Sequence, residues 1–291
     1  LLASSAASDV YKRQDVMSKV KTKQIVISMV AILFALIMLS PFYIGIIYSF
    51  KTKQEITLTG LSLPTHFDFQ NYVAVLEDGS FFKGMLNSIY TTIPSVILLM
   101  IICPMASYVF ARNKKRIYNV LYSLFLVAML IPYQSVLLPI YADMRDWGML
   151  NTFAGNVFVK VGFQLSLSIL ICTGFVKGIP RDLEEAAYID GMGYFGTFWR
   201  IVFPLMKSVL ISILIINALF AWNDFQLSTV TLISEEVQTL PQLLYRYFGV
   251  HSVDLNQAFA AFNLAMLPLI ILYLLLQKYI TDGVMAGSVK G

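Results

Sequence analysis

Pro180-Arg-Asp-Leu-Glu-Glu-Ala-Ala-Tyr-Ile-Asp-Gly191, continuing to Ile201-Val-Phe-Pro204-Leu205, lies between two long apolar stretches of the chain. The segment is too polar to sit in lipid and too short to fold as a domain. Asp182-x-x-Glu185 after Pro180 predicts a capping box that opens a short helix. Glu184 and Glu185 also complement the positive end of that helix. Gly191 suits the left-handed residue that closes it, and Gly193 loosens the turn that follows. A second short helix is expected from about Tyr194 to Phe203, ending at Pro204. The first helix spans about nine residues, below the ~12–15 at which an isolated helix becomes even marginal in water. Tertiary or quaternary contacts must therefore hold it. By charge pattern alone, an equal reading is that the two glutamates only cap and solubilise an extramembrane helix.

The rest of the chain sets that loop in lipid. Of 291 residues 58% are hydrophobic and 13% charged, against about 25% charged in ordinary soluble domains. The net charge of +4 is spread over several short segments, so nucleic-acid binding has no support. Cys103 and Cys172 sit inside apolar runs and read as small hydrophobes. With no His or Cys cluster, neither a disulfide framework nor a metal site is expected. Residues 1–16 are rich in Ser and Ala, and Met17 precedes Ser-Lys-Val-Lys-Thr-Lys and the first apolar run. The expectation is that 1–16 form a non-native or disordered extension.

Six segments approach the roughly 20 apolar residues needed to cross a bilayer: about Ile25–Phe50, Ser88–Phe110, Val120–Tyr141, Val157–Val176, Ser208–Phe225 and Ala258–Ile280. Lys160, Asp224 and Lys278 are the charges within them, all near ends. The first run is about twice the length of a signal-peptide core, so a cleavable signal is not expected. Counting Lys and Arg places fifteen on the side of the termini and the Pro180 loop and six on the other. The loop and both termini are thus expected in the cytoplasm. The organisation read from this is an N-terminal segment with the first span and a long outer loop (17–87), a five-span core (88–280) holding the cytoplasmic loop 180–207, and a tail (281–291). Pro94, Pro104, Pro132, Gln134, Asn217, Asn263 and Pro268 fall within spans, where proline frees a carbonyl that only protein or water can satisfy. Either kinked helices pack on one another, or a water-lined path runs between them. Together these residues favour a transporter over a simple anchor.

Glu185-Ala186-Ala187, three residues, Gly191, nine residues and Ile201-x-Phe203-Pro204 closely resemble the EAA signature of ATP-binding-cassette importer permeases, with Phe203 where that pattern has Leu. Ile131-Pro-Tyr-Gln134, Pro139-Ile-Tyr141 and Gly148-Met-Leu-Asn-Thr152 resemble the third-span region of carbohydrate-uptake permeases. Ala221-Trp-Asn-Asp-Phe225 is similar to their WN(D/E)F motif. Asp282-Gly-Val-Met-Ala-Gly-Ser-Val-Lys-Gly291 resembles a maltose-type tail ending GAVKG, with Ser288 for Ala. The resemblance covers nearly all of the chain from Met17. It implies an all-α, six-span type I importer permease of a bacterial-type plasma membrane, partnered by cytoplasmic ATPases, a second homologous permease and an extracytoplasmic solute-binding protein.

In that reading the loop, with Asp182, Glu184, Glu185, Ala186, Ala187, Asp190, Gly191, Phe203 and Pro204, seats in a cleft of an ATPase subunit. Glu185 pairs with a basic residue there, the two alanines permit close approach, and Gly191 permits the bend. The tail, through Gly287 and Lys290, lies against the ATPase pair. In the same reading no catalytic residue, metal ligand or cofactor is expected of the chain itself, and with no G-x-x-x-x-G-K-[ST] loop it has no nucleotide site.

Of the outer loops, that from about Gln226 to Gln257 holds Glu235, Glu236, Arg246, His251, Tyr245, Tyr247 and Phe248. By resemblance it docks the solute-binding protein. Aromatics with Arg suit an interface, although ordinary packing at the membrane surface is an equal reading. A path for sugars needs amides, aromatics or a carboxylate, and Asn217, Trp222, Asn223, Asp224 and Gln134 offer these. The alternatives for Trp222 and for Asn223 with Asp224 are an interfacial anchor and a helix cap. A permease for a non-sugar solute is the nearest alternative function. An ion-coupled secondary transporter expects mid-membrane ionisable groups and repeated halves with broken helices, neither of which stands out. An intramembrane enzyme lacks its constellation.

Overall fold

The apolar side chains from Ile25 to Leu39 have no core to enter, and they project from a single helix, α1 (Leu2–Ser49), more than 45% exposed at each large hydrophobic position. Such a surface requires lipid or another protein. The computed structural model describes residues 2–247 and 254–288, with side chains for 23–247 and 254–278. Lys290, His251 and Phe248 lie outside the described residues. At Gly287 and over residues 2–16 only the helical backbone is described.

After α1 the chain forms two short helices, α2 (Lys53–Thr59) and α3 (Gln70–Glu77). Lys51 orders this segment: fully buried, its Nζ donates to Thr59 Oγ1 (2.9 Å) and Gly60 O (2.8 Å). α4 (Ser80–Arg112) accommodates Pro94 and Pro104 without a break and packs along α7 (Phe153–Lys177) and α11 (Lys207–Asn223). Buried Ser88, Thr91, Ser95 and Ser107 let these backbones approach closely, and the Ser107 hydroxyl donates to Ile169 O at 3.2 Å.

The third expected span is not one helix. α5 (Arg116–Ala128) stops, a 3-10 turn covers Tyr133–Val136, and α6 (Leu137–Asp146) leaves at 102°. Pro132, with no N–H to give and an extended backbone (ψ 119°), marks the break. Beyond α7 come α8 (Asp182–Ile189), α9 (Tyr194–Thr197), a π-helical turn over Phe198–Val202 and α10 (Phe203–Leu205). Pro204 removes one donor from that ladder, Phe203 N reaches back to Phe198 O, and the chain bends by 76° into α11. α12 (Gln226–Thr231), α13 (Leu240–Arg246) and α14 (Leu255–Ser288) complete an architecture with no strand among the described residues.

Among the described residues four helices are long and apolar enough to cross a membrane, and the number rises to six when each of the two bent pairs is taken as one span. The third expected span is thus bent within itself, whereas the fifth is the unbroken helix α11, with the 76° bend ahead of it at Met206. Asn263 of α14 acts as a staple: its Nδ2 donates toward Gly45 O, Ser49 Oγ and Tyr72 OH at 3.1–3.2 Å, joining α14 to α1 and α3.

Candidate functional site

The Pro180–Leu205 hairpin is built on a short helix whose ends differ from expectation at the start and agree at the close. No capping box forms. Arg181 occupies the cap position and Asp182 is already helical, so no side chain caps α8, and Glu184 and Glu185 amides bond Arg181 O instead. Glu185 consequently has no return contact to make. At the other end Met192 N donates to Ala187 O (2.9 Å) and Gly191 N to Tyr188 O (3.0 Å), the paired bonds of a Schellman motif, with Gly191 at φ +81°.

A Cβ at Gly191 would meet no atom within 4 Å, so the demand is conformational alone. Gly191→Val is expected to cost about 1–2 kcal/mol of hairpin stability. That corresponds to roughly 5–30-fold more of the locally open form. Trypsin cleavage after Arg181 or Arg200 in isolated membranes measures it, and an unchanged cleavage rate would contradict the left-handed closure.

One face of α8 is locked to the bundle. Arg112, the last residue of α4, places Nε and Nη2 on Glu184 Oε1, each at 2.6 Å, while its Nη2 also donates to Ile179 O (2.9 Å). Tyr108 OH donates to Glu184 Oε2 at 2.9 Å. Both charged side chains are over 90% buried, and Ala187 is buried beside them. Glu184 and Ala187, expected to face a partner, therefore face inward. Below them Tyr108, Tyr194, Phe198, Trp199 and Phe203 stack in a chain of rings with neighbouring centroids 4.8–5.3 Å apart.

The opposite face is open. Asp182, Glu185, Ala186, Asp190, Gly191 and Pro204 are exposed, and Phe203 is half-buried. Among them stand Ile189, 87% exposed, and Phe195, 66% exposed. Asp190 to Arg200 border a hollow of about 620 Å³ floored by Trp199. The hairpin thus presents Ile189 of α8 and Phe195 of α9 beside Ala186 and the carboxylates of Asp182, Glu185 and Asp190.

At the far end of the bundle the structure pairs two charges that sequence placed near span ends. Lys160 Nζ lies 3.5 Å from Asp224 Oδ2 and donates to Ala221 O at 2.9 Å, and both side chains are at least 95% buried. Lys160, counted with the outer-loop charges, is thus inside the fold. Asp224 also accepts from Leu227 N, Ser228 N and Ser228 Oγ at 2.7–3.0 Å, which caps α12.

Of the expected path residues, Asn217 exchanges bonds with Ser168 (3.0 and 3.3 Å), and Trp222 Nε1 donates to Ala265 O (3.2 Å). Asn223 and Gln134 are exposed, and Trp222 and Asn223 line one cavity with Asn263. The segment from Ile233 to Gln238 is held by remote amides. Asn151 Oδ1 accepts from Ile233 N and Ser234 N, and Asn87 Nδ2 donates to Glu236 O and Gln238 O. Arg246 pairs with Glu235 at 2.6 Å on this surface, and Tyr245 is 67% exposed. Among the described residues no group of His, Cys, Asp or Glu could hold a metal ion.

Residues 103–285 match the family described as "Binding-protein-dependent transport system inner membrane component". The chain is 33% identical over 274 residues to the "Probable starch degradation products transport system permease protein AmyC" of Thermoanaerobacterium thermosulfurigenes, covering 94% of this chain and 100% of that one. It is 34% identical to the "Melibiose/raffinose/stachyose import permease protein MelC" of Bacillus subtilis (strain 168), with the same coverage. Among solved structures it is similar to a chain of a bacterial ABC transporter involved in the import of the acidic polysaccharide alginate, with a TM-score of 0.78 and 25% identity over 89% of this chain and 96% of that one.

Proposed function

The chain belongs to the family of binding-protein-dependent transport system inner membrane components, and from that premise we propose that it is the permease subunit of an ATP-driven importer of a sugar or oligosaccharide. The observation that carries the mechanism is the half-locked hairpin: one face of α8 is tied to α4 through Glu184 and Arg112, and the other presents Glu185, Ala186 and Ile189 to solvent. A force applied to the open face passes through the buried ion pair into α4, and through the π-helical turn and the bend at Met206 into α11.

In this reading the hairpin lies in the cytoplasm and seats on an ATPase subunit. Closure of two such subunits rocks the spans of this permease against those of a second one. The rigid outer segment with Arg246 and Tyr245 receives the solute-binding protein. The chain then needs no cofactor and hydrolyses no ATP.

The buried Lys160–Asp224 pair favours a second reading, an ion-coupled carrier. Its carboxylate already accepts three bonds from α12, and its ammonium holds a carbonyl. A carrier of protons needs one of these groups to reach water in turn, so a structural staple fits the pair better.

The test is uptake in proteoliposomes holding the complete transporter, with and without ATP and the binding protein. Uptake by this chain alone would overturn the proposal. Ile189→Asp is expected to weaken ATPase association by at least about 2 kcal/mol, as removal of an interface hot spot does. Co-purification of the ATPase with the permease reads it directly, the permease itself remaining folded because Ile189 contacts solvent.

A further inference from the structure

We infer that the cavity where the third span breaks is a sugar subsite, with the Gln164 amide donating to a hydroxyl of a pyranose ring. This rests on the sugar-importer reading and assigns that reading a place in the chain. The cavity measures about 460 Å³, within the ~300–1,000 Å³ of small-molecule sites. It lies where α5 and α6 diverge at 102°, against α7. Gln164 of α7 is 94% buried and lines the cavity, and its Nε2 has no hydrogen-bond partner.

A buried donor without an acceptor is rare enough to need a reason, and a ligand hydroxyl supplies one. Ser166, equally buried, lines the same wall. Tyr133, Trp147 and Phe158 border the cavity, Tyr133 in a T-shaped pair with Phe163 at 5.9 Å and Trp147 in one with Phe158 at 6.2 Å. Rings that cover the apolar C–H face of a pyranose, beside an amide that reads a hydroxyl, are what a neutral sugar requires. Exposed Asp143 at the rim adds an acceptor. The larger apolar cavity near Trp222, of about 740 Å³, holds no such orphaned donor and fits lipid chains.

The assembled transporter is reconstituted with its ATPases, second permease and binding protein, and uptake of labelled raffinose and maltotriose is measured. ATP-dependent uptake of either by the wild type tests the importer reading on its own, and uptake of neither overturns that reading and the subsite with it. Given wild-type uptake, Gln164→Leu removes the donor while keeping the volume. It is expected to lower uptake at saturating binding protein roughly three- to tenfold, the worth of one hydrogen bond, with ATPase assembly and unfolding midpoint unchanged. As a second readout, Ser166→Cys is labelled with a small thiosulfonate in the assembled complex, and the transported sugar is expected to slow labelling. Normal uptake by Gln164→Leu, or a Cys at 166 whose labelling ignores the sugar, would overturn the subsite and leave the importer intact.

Discussion

Glu184→Ala is expected to cost the permease about 3–5 kcal/mol, while Glu185→Ala, one residue away, costs less than about 0.5 kcal/mol. The difference lies in what each carboxylate leaves behind. Without Glu184, the Arg112 guanidinium stays over 90% buried against the Ile179 carbonyl, and Tyr108 loses its carboxylate acceptor at 2.9 Å. An uncompensated buried charge of this kind is the costly case, whereas the intact pair by itself adds little net stability. Glu185 is exposed and has no such partner to strand. The functional effects run the other way for equal amounts of folded protein. Glu185→Ala retains the fold and loses ATPase association, whereas Glu184→Ala loses the fold or, where it is retained, uncouples hydrolysis from uptake. Unfolding midpoints in detergent paired with ATPase co-purification separate the two. Equal midpoints for both variants would show that the Arg112–Glu184 contact carries no weight.

The spacing Glu-Ala-Ala, Gly191, Ile-x-Phe-Pro identifies the hairpin from sequence, because the turn at Gly191 depends on local backbone chemistry that one residue type supplies. Which of two adjacent glutamates turns inward does not depend on local chemistry. It follows from the phase of α8 against α4, set by Arg112 and Tyr108 some 72 to 76 positions earlier in the chain. The same limit applies to the third span, where a continuous apolar run concealed a 102° break. Pro132 lay in view, but Pro94 and Pro104 sit in α4 with no break at all. What differs is whether neighbouring helices hold the two sides in line. Lys160 and Asp224 carried one faint signal, a lone cation and a lone acid at the ends of successive apolar runs. Gln164 carried none, since an amide in an apolar helix reads alike whether it has a partner or faces a cavity. The same holds for Asn217 and Trp222, whose partners Ser168 and Ala265 lie on other helices of the fold.

Asp224→Ala is the other variant expected to have a large effect, and the size of its partner's effect should not match it. Removing Asp224 leaves the Lys160 ammonium buried against Ala221 O and, at 3.5 Å, Thr91 Oγ1, a cost of about 3–5 kcal/mol. It also strips α12 of the carboxylate that accepts Leu227 N and Ser228 N, worth about 1 kcal/mol more. Lys160→Met leaves Asp224 with those same donors still in place, so its charge remains solvated by the protein and the loss is smaller. The double variant Lys160→Met with Asp224→Ala should recover much of what Asp224→Ala loses, because no charge is then stranded, and fall short of wild type by about the worth of the cap. Thermal unfolding midpoints should therefore rank wild type first, then Lys160→Met and the double variant, with Asp224→Ala last. A staple also predicts that ATP-dependent uptake survives in the double variant wherever the fold does. A pair that carried protons predicts the reverse, a stable double variant with no uptake.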